Sequence, residues 1–553
     1  MVDAASAPKH DRLDTQATVV YPDDAPAPTT YLGSSGTKPA NVIPPDHPHR
    51  TLIVCFDGTG ESFGSDNSNV IQFFSLLPKA DRSKQMVYYQ CVPRDGDRHV
   101  HFTPDHDAAS RQVRPGTFRP WHLRSDPRSR RNNCAQLLDE AIAWSLDAHV
   151  MGGYEFLMQN YTAGDRICIF GFSRGAYTAR SLAGMIHKVG LLPTDNAQQV
   201  PFAYKMYTRA DETGWKQSNA FKKVPRFVLL SGTPYADGTR QAFSIDVDIE
   251  FLGVWDTVNS VGIIPKRLPF TTSNTIVRTF RHAISIDERR AKFKANHWNR
   301  PTAHEQTLGI AGTKPAASQN IEIIPGSGKG HPSEHKQSWR HMERQYSKAC
   351  DQLTDVDEVW FSGCHCDIGG GSVDSSTRHT LAKIPLRWMI RECFKTGSGI
   401  MFDVDGLRSV GLDPDSLYPV VKPRPAALPL GDLKIRAVPS PSPPLPDPTP
   451  VLSEEEEDLH DSLSPLYDVL ATPLSLWWIL EFYPIEERYQ RLDHEGWGTY
   501  LGFNLGRGRR VPDEGSAGVR VHRSVKTRLE AAAASGGYVP KAGVDFSRAT
   551  WVD

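Results

Sequence analysis

The stretch Arg166-Ile-Cys-Ile-Phe-Gly-Phe-Ser-Arg-Gly-Ala-Tyr-Thr-Ala-Arg180 decides the fold. Ile167–Phe170 is a short, wholly apolar run, which is typical of a strand covered on both faces in a parallel sheet. Apolar residues then recur at helical spacing, and Gly190 can end the helix. Between the two elements lies Gly171-Phe-Ser-Arg-Gly175, a G-x-S-x-G nucleophile elbow. Ser173 is therefore predicted to lie at a sharp strand-to-helix bend and to point outward at the edge of the sheet.

The five-residue pattern occurs twice in the chain, because Gly60-Glu-Ser-Phe-Gly64 also matches it. Ser62 lies beyond the end of its strand, in a loop of Asp, Gly, Ser and Asn, and no helical pattern begins before Asn69. A nucleophile elbow requires a strand directly before the serine and a helix directly after it. Ser173 is therefore the candidate nucleophile, and Ser62 is interpreted as a loop residue.

Composition excludes several function classes. The 553 residues carry a net charge of −1 and have a pI near 7.1, which gives no electrostatic case for binding nucleic acid. Eight cysteines have no regular spacing, and Cys55 and Cys168 lie in predicted buried strands, so we expect reduced thiols and a cytoplasmic location. Neither a signal peptide nor a membrane-spanning helix is predicted. No cofactor is expected.

Composition also divides the chain into four segments. Residues 1–48 are rich in Pro, Ala, Thr and Asp, which predicts a disordered tail. Residues 49–412 predict an α/β-hydrolase-like domain with a mostly parallel sheet, helices on both faces and loop insertions. Residues 413–462 are proline-rich and then acidic, which predicts a linker. Residues 463–553 are expected to form a C-terminal helical extension.

Two insertions and one aromatic segment leave alternatives open. The insertions are predicted at residues 93–133 and 301–345, and the first contains three histidines, at 99, 101 and 106. A solvated loop is favoured over a metal site there, because no second ligand pair has suitable spacing. The apolar segment Leu463–Tyr483 is predicted to be helical. We interpret it as a lid helix packed on the core or as a contact with a lipid interface.

A serine hydroxyl is a poor nucleophile unless a base removes its proton and a carboxylate orients that base. Asp256 directly follows the apolar run Ile249–Trp255 and is the predicted triad acid. Among 20 histidines, His365 alone directly follows an apolar strand and precedes a triple glycine, so it is the predicted base. The chain order Ser173, Asp256, His365 is that of α/β-hydrolases.

The alternatives to these partners are weaker. Asp367 is the second candidate acid. His187 and His282 lie in patterns interpreted as helical, the latter in a helix predicted over His282–Phe293. The cysteines at 364 and 366 flank the predicted base and suggest zinc, but side chains of successive residues point in divergent directions. No metal site is therefore predicted.

The tetrahedral intermediate of ester hydrolysis needs N–H donors for its oxyanion. The strand Arg50–Phe56 runs into the glycine-rich loop Asp57-Gly-Thr-Gly60 at the same edge of the predicted sheet. The expected donors are the N–H of Arg174, directly after the nucleophile, and the N–H of Gly58 or Thr59.

Five motifs, taken together, resemble the DUF2235 family, the catalytic domain of Tle1-like phospholipase effectors, of α/β-hydrolase type. They are FDGTG at 56–60, GFSRGAYTAR at 171–180, VWDTV at 254–258, HAISIDERR at 282–290 and VWFSGCHCDIGGGS at 359–372. The resemblance covers roughly residues 48–400. The chain departs from the family in its long N-terminus, its loop insertions and a C-terminal region that looks like those of eukaryotic relatives. It implies Ser173, Asp256 and His365 as a catalytic triad and the hydrolysis of ester-linked acyl chains, with phospholipase A activity in the effector members.

The predicted function is thus that of a serine hydrolase that cleaves carboxylic esters, with lipid or phospholipid esters favoured by the resemblance. The expected partners are the ester substrate and, transiently, a membrane surface. Two alternatives stay open: a soluble carboxylesterase of small esters, and a non-catalytic binding or scaffold protein that keeps the hydrolase fold.

Overall fold

The structure is a computed structural model. It describes residues 41–59, 66–92, 146–209, 211–222, 243–258, 268–298, 354–436, 452–471, 475, 477–490, 497–512 and 518–553. The second G-x-S-x-G motif with Ser62, the histidines at 99, 101 and 106 and both predicted insertions lie outside these residues. Residues 41–553 belong to one compact unit.

The centre of the described part is a parallel sheet. The strands, in chain order, are β1 (Val42–Ile43), β2 (Thr51–Thr59), β3 (Gln85–Val92), β4 (Arg166–Phe172), β5 (Ile249–Trp255), β6 (Val277–Ser285), β7 (Asp355–Phe361), β8 (Phe402–Asp403), β9 (Ile485–Gln490), β10 (Trp497–Gly502), β11 (Arg520–His522) and β12 (Thr550–Val552). Eight of them form a sheet in the order β12-β11-β7-β6-β5-β4-β2-β3, with every neighbouring pair parallel. The prediction of a mostly parallel α/β sheet is confirmed.

Helices cover both faces of this sheet. They are Asn69–Ser75, residues 146–160, Ser173–Val189 (the elbow helix), Val200–Thr208, Glu212–Lys222, His365–Gly369, Lys383–Lys395, Val404–Ser409, Glu454–Ser462 (the acidic helix), Trp478–Glu481 and Arg523–Ser535. None of the helices described here is long and apolar enough to cross a bilayer.

Strand β2 shows why the central strands are apolar throughout. Leu52 and Val54 belong to the core that contains the elbow helix, whereas Ile53 and Cys55 belong to the core on the other face. Successive side chains of a strand point to opposite faces, so a strand covered on both faces needs no polar side. Cys55 is a free, fully buried thiol, and burial raises its pKa, in agreement with its prediction as a small hydrophobic residue.

His282 lies on a strand, although the sequence pattern predicted a helix there. Residues Val277–Ser285 form strand β6, hydrogen-bonded to β5 and β7 on either side. His282 Nδ1 lies 2.8 Å from Glu358 Oε1 on the neighbouring strand, and its Nε2 accepts a hydrogen bond from the N–H of Thr257. Two strand partners supply the backbone hydrogen bonds, and they outweigh a local spacing that is also compatible with a helix.

The C-terminal region differs from the predicted helical extension. Strand β11 pairs with β7 and strand β12 pairs with β11, so Arg520–His522 and Thr550–Val552 extend the central sheet, and the helix Arg523–Ser535 lies between them in the chain. Both strands have three residues, which is too short to produce a recognisable periodicity. Part of the predicted disordered tail is ordered, because Val42–Ile43 form strand β1, which pairs with β8.

The acidic run at the end of the predicted linker is a helix packed on the core. Its N-terminus carries a capping box formed by Ser453 and Glu456. Arg387, on the helix Lys383–Lys395, donates to Asp458 and Asp461 at 2.6 Å each. The linker prediction is therefore wrong for this part of the chain, because the acidic side chains neutralise buried arginines instead of facing water.

The aromatic segment predicted as one helix over Leu463–Tyr483 is mostly irregular where it is described. It contains a 3₁₀ turn at Val469–Ala471 and the single helical turn Trp478–Glu481. Pro465 lies near its start and has no N–H to donate to a helical hydrogen bond. Apolar composition alone therefore overestimated the length of the helix.

The ion pairs of Arg387 provide a test of this packing. We expect Arg387→Met to lower the free energy of unfolding by about 3–5 kcal/mol, because the buried Asp461 loses its arginine and Asp458 keeps only Arg424. The matched control is Arg408→Met, which removes an exposed ion pair with Asp405 and should cost less than about 1 kcal/mol. Urea unfolding measures both variants. Equal effects would show that the acidic helix does not depend on this cation.

Candidate active site

Ser173 lies at a strained bend between β4 and the elbow helix. The strand ends at Phe172, and Ser173 begins the helix with a φ of 58°, a conformation that non-glycine residues rarely adopt. A Cβ on Gly171 would lie 2.5 Å from the carbonyl oxygen of Gly175, and a Cβ on Gly175 would lie 2.3 Å from that of Asp57. Both glycines are therefore required by close backbone approach, as the elbow pattern predicts.

The structure brings the three predicted triad residues together. His365 Nε2 lies 2.8 Å from Ser173 Oγ, and His365 Nδ1 lies 2.6 Å from Asp256 Oδ2. Asp256 follows β5 directly and has a φ of 42°, and His365 begins a short helix just after β7. All three side chains are buried at the carboxyl edge of the sheet. Hydrogen bonds thus connect a hydroxyl, an imidazole and a carboxylate in that order.

The charges at this site favour a neutral imidazole beside an ionised carboxylate. Burial by itself would raise the pKa of Asp256, but the guanidinium of Arg509 and the ring of His365 hold that pKa well below its usual range. Burial lowers the pKa of His365, although Asp256 opposes the shift. At pH 7 the ring is therefore neutral, with Nδ1–H donating to Asp256 and Nε2 able to accept a proton from Ser173.

Two aromatic rings and one carboxylate hold His365 in place. Its ring centroid lies 4.7 Å from that of Phe172 and 4.8 Å from that of Phe293. Its backbone N–H donates to Glu288 Oε2 at 3.2 Å. A Cβ on Gly369, one turn further along the same helix, would overlap the ring of Phe172. The glycines after His365 therefore allow its helix to pack against β4.

The predicted oxyanion donors differ in their surroundings. The N–H of Gly58 already donates to Asp57 Oδ1 at 2.7 Å. Asp57 also accepts hydrogen bonds from Ser68 and Tyr89, and burial raises its pKa. This network holds the end of β2 beside the elbow. The N–H of Gly58 thus has an acceptor within the protein, and the backbone amides of Arg174 and Thr59 stay the predicted oxyanion donors.

The second-choice residues have other partners. Asp367, the alternative acid, accepts hydrogen bonds from the backbone N–H groups of Cys364 and Tyr467, and burial raises its pKa to about 7. It caps the short helix His365–Gly369. His282 is paired with Glu358, as described above. His187 lies within the elbow helix, with Nδ1 2.7 Å from Asn274 Oδ1.

One group of side chains in the described part has the spacing of a metal site. Ligand atoms of His379, Glu457 and Asp461 lie within 4.8 Å of one another. However, Asp461 also accepts hydrogen bonds from Arg387 and from the backbone N–H of Thr380. The group therefore belongs to the buried ion network of the acidic helix, where arginine already supplies the positive charge.

Sequence analysis missed one charged residue of the site, Arg509. Its guanidinium forms a two-point ion pair with Asp256. Arg509 lies in the glycine-rich basic stretch Gly506-Arg-Gly-Arg-Arg510, and nothing in that pattern distinguishes it from its neighbours. A buried carboxylate implies that some cation is near, but it does not indicate which of the chain's 63 lysines and arginines supplies it.

Comparison with known proteins places the chain in a family. The model for "T6SS, Phospholipase effector Tle1-like, catalytic domain" matches residues 50–392. The chain belongs to this Tle1-like family. All three residues of the hydrogen-bonded series lie within the matched range, whereas Arg509 and strands β11 and β12 lie beyond it.

This Tle1-like protein is similar to a yeast protein and, more distantly, to two solved structures. An uncharacterized protein of Saccharomyces cerevisiae is 28% identical and aligns with 90% of this chain and 81% of its own. A crystal structure of an uncharacterized protein from Pseudomonas aeruginosa is 18% identical, with 67% of this chain and 49% of that chain covered and a TM-score of 0.30. The Tle1 effector bound to the VgrG spike of the Type 6 secretion system is 14% identical, with 58% and 51% covered and a TM-score of 0.25. The chain thus spans about half the length of these two solved structures.

The elbow glycine next to β2 provides a test of the Tle1-like site. We expect Gly175→Ala to lower the free energy of unfolding by about 1–3 kcal/mol, because the new methyl group forces the backbone at Asp57 to move. Gly543→Ala is the matched control, because a Cβ there meets no atom within 4 Å. Thermal unfolding measures both variants. A Gly175→Ala protein as stable as the control would contradict the close approach.

Proposed function

We propose that this protein is a serine hydrolase that cleaves carboxylic esters through an acyl-enzyme on Ser173. The observation that supports this most strongly is the pair of hydrogen bonds from His365, to Ser173 at 2.8 Å and to Asp256 at 2.6 Å. A nucleophile, a base and an orienting acid are then all within reach of one another. The lowered pKa of His365 supports the same roles, because only a neutral imidazole can accept a proton.

In the proposed reaction, Nε2 of His365 takes the proton of Ser173 while Oγ forms a bond to the ester carbonyl carbon. The carbonyl oxygen becomes an oxyanion, which the N–H of Arg174 and that of Thr59, at the end of β2, stabilise. The C–O bond to the alcohol breaks as His365 gives its proton to the leaving oxygen. Water, activated by His365, then attacks the acyl-enzyme, releasing the carboxylic acid and regenerating Ser173.

The roles of the three residues can be tested separately. We expect a fluorophosphonate probe to label the wild-type protein and to leave Ser173→Ala unlabelled. Asp256→Asn should lower kcat by about 10⁴-fold, by analogy with other triads, because His365 loses the acceptor that fixes its tautomer. His365→Ala should abolish labelling, because the serine keeps its proton. Gel-based labelling, p-nitrophenyl ester hydrolysis and thermal unfolding provide the measurements.

Ser62→Ala is the matched control, since it alters the other G-x-S-x-G serine and should leave labelling unchanged. Labelling that survives Ser173→Ala would reject the assignment of the nucleophile. A folded wild-type protein that no probe labels would instead favour a binding protein that keeps the hydrolase fold. A wild-type rate in Asp256→Asn would transfer the role of the acid to Asp367.

Lipid esters, and phospholipids in particular, are the proposed substrates. The family description names phospholipase effectors, and a surface next to the site supports a substrate with acyl chains. Six large apolar residues on this surface, which we name the apolar rim, are each between 45% and 72% exposed: Ile479, Phe482, Tyr483, Leu501, Phe503 and Leu505. Exposed apolar clusters of this kind are typical of surfaces that contact lipids or other proteins.

The apolar rim is connected to the candidate triad. Trp477 lies two residues before Ile479, and its ring centroid is 5.4 Å from that of Phe293. Phe293 in turn contacts the ring of His365. The buried carboxylate of Glu481 accepts hydrogen bonds from the N–H groups of Ala291 and Gly506, which holds both halves of the rim against the site. A lipid that contacts the rim would therefore have its ester close to Ser173, and transient contact with a membrane surface is part of the proposal.

Substituting two residues of the rim tests the lipid substrate. We expect the double variant Phe482→Ser, Leu501→Ser to hydrolyse phosphatidylcholine liposomes about tenfold more slowly, because less apolar area is buried at the interface. Its rate on p-nitrophenyl butyrate, a short soluble ester, should not change. Val420→Ser is the control, since Val420 is equally exposed and lies in a different segment.

A chain-length series of p-nitrophenyl esters and a phosphatidylcholine with two different acyl chains complete this test. We expect rates to rise with chain length and the released fatty acid to identify the ester bond that is cleaved. Rates that peak at acetate or butyrate, with no release from phospholipid, would favour a small-ester carboxylesterase and reject the lipid proposal.

A further inference from the structure

Every hydrogen-bond donor of the Arg509 guanidinium has a partner at the candidate active site. An arginine side chain carries five N–H donors. Nη1 donates to Asp256 Oδ1 and to the carbonyl oxygen of Ser285, and Nη2 donates to Asp256 Oδ2 and to the carbonyl oxygen of Phe293. The fifth donor, Nε–H, also reaches the carbonyl oxygen of Phe293, at 2.9 Å. The side chain is 2% exposed, so no donor depends on water.

The acceptor positions of Asp256 are filled in the same way. Oδ1 accepts from the backbone N–H of Ser285 at 2.8 Å and from Arg509. Oδ2 accepts from His365 at 2.6 Å and from Arg509 at 2.8 Å. A two-point pair of this kind is planar, so the guanidinium sets the plane in which the carboxylate faces the imidazole.

We propose that Arg509 is a positioning residue of the catalytic centre, which compensates the charge of the buried Asp256 and orients its carboxylate toward His365. The residue comes from outside the range that the family model matches, so the C-terminal region completes the site instead of serving as a separate lid. The inference rests on the proposed function for the role of His365 as base. The full set of paired donors and acceptors between Arg509 and Asp256 does not depend on the proposed function.

The charges around the imidazole determine the direction of the expected effect. The carboxylate of Asp256 favours the protonated ring, and Arg509 opposes that influence by neutralising the carboxylate. The other charged pair that faces the ring consists of Glu288 and Arg290, which are joined at 2.8 Å and largely cancel each other. The buried His282 lies behind Asp256, and burial lowers its pKa, which keeps it uncharged. Removal of Arg509 therefore leaves the carboxylate unopposed.

An unopposed carboxylate stabilises the imidazolium, so the pKa of His365 should rise when Arg509 is replaced by a neutral residue. Catalysis requires the neutral ring. The pH at which kcat/KM falls to half on the acidic side should therefore move upward. A residue that only supports folding would change the amount of active protein and would leave this pH unchanged.

The experiment compares Arg509→Met, which removes the charge, with Arg509→Lys, which keeps it but cannot form the planar pair. The readout is the downfield proton NMR resonance of His365 Nδ1–H, followed against pH and assigned by its loss in Asp256→Asn. We expect the midpoint to rise by about one pH unit or more in Arg509→Met and to stay near the wild-type value in Arg509→Lys. Arg507→Met, at an exposed position two residues away, is the control and should match the wild type.

The acidic midpoint of kcat/KM for a p-nitrophenyl ester should likewise rise in Arg509→Met and stay near the wild-type value in Arg509→Lys. We also expect a lower kcat in Arg509→Lys than in the wild type, because the carboxylate plane is no longer fixed. Equal midpoints in Arg509→Met and the wild type would overturn the inference. So would equal midpoints for the Met and Lys variants, which would indicate a structural role. Should Arg509→Met fail to fold, Arg509→Gln replaces it under the same criterion. A shifted midpoint in a protein that never cleaves esters would reject the proposed function and support the role of Arg509.

Discussion

The buried carboxylate of Asp256 is the constraint on which the arrangement of the candidate site depends. Its side chain has no exposure to solvent, and an ionised carboxylate in such surroundings is costly unless a cation and hydrogen-bond donors compensate it. Arg509 supplies the cation, and the N–H of Ser285 and the ring of His365 supply the remaining donors. The need to neutralise one side chain thereby ties the C-terminal region to the end of β5.

The parallel sheet explains how residues far apart in the chain meet. Strands β4, β5 and β7 run in the same direction, so the residues that follow each of them emerge at the same edge. Ser173 and Asp256 follow the neighbouring strands β4 and β5, whereas His365 follows β7, which lies two positions beyond β5. The imidazole therefore reaches across the end of β6. It lies between the rings of Phe172 and Phe293, which limit its rotation.

Charge pairs also join later parts of the chain to the core away from the site. Arg387 binds two carboxylates of the acidic helix, and Arg528, on the helix Arg523–Ser535, donates to the carbonyl oxygens of Ser462 and Ser464. Strands β11 and β12 then continue the sheet beyond β7. The residues after 452 are thus held by polar contacts and strand pairing in addition to apolar burial. Composition does not reveal polar contacts of this kind, which is why it predicted a linker and a C-terminal extension there.

The sequence by itself determined the features that follow from local rules. Apolar runs identified β4 and β5, the paired glycines identified the elbow, and a polar residue directly after a strand identified Ser173, Asp256 and His365 as residues of one edge. Tertiary structure alone decided the rest. Residues around His282 form a strand because β5 and β7 flank them, and short strands such as β11 exist only because β7 offers an open edge. Arg509 and Asp256 are 253 positions apart, and no local pattern encodes a pairing across that distance. It arises because folding buries a carboxylate that must then be neutralised by whichever cation the fold brings beside it.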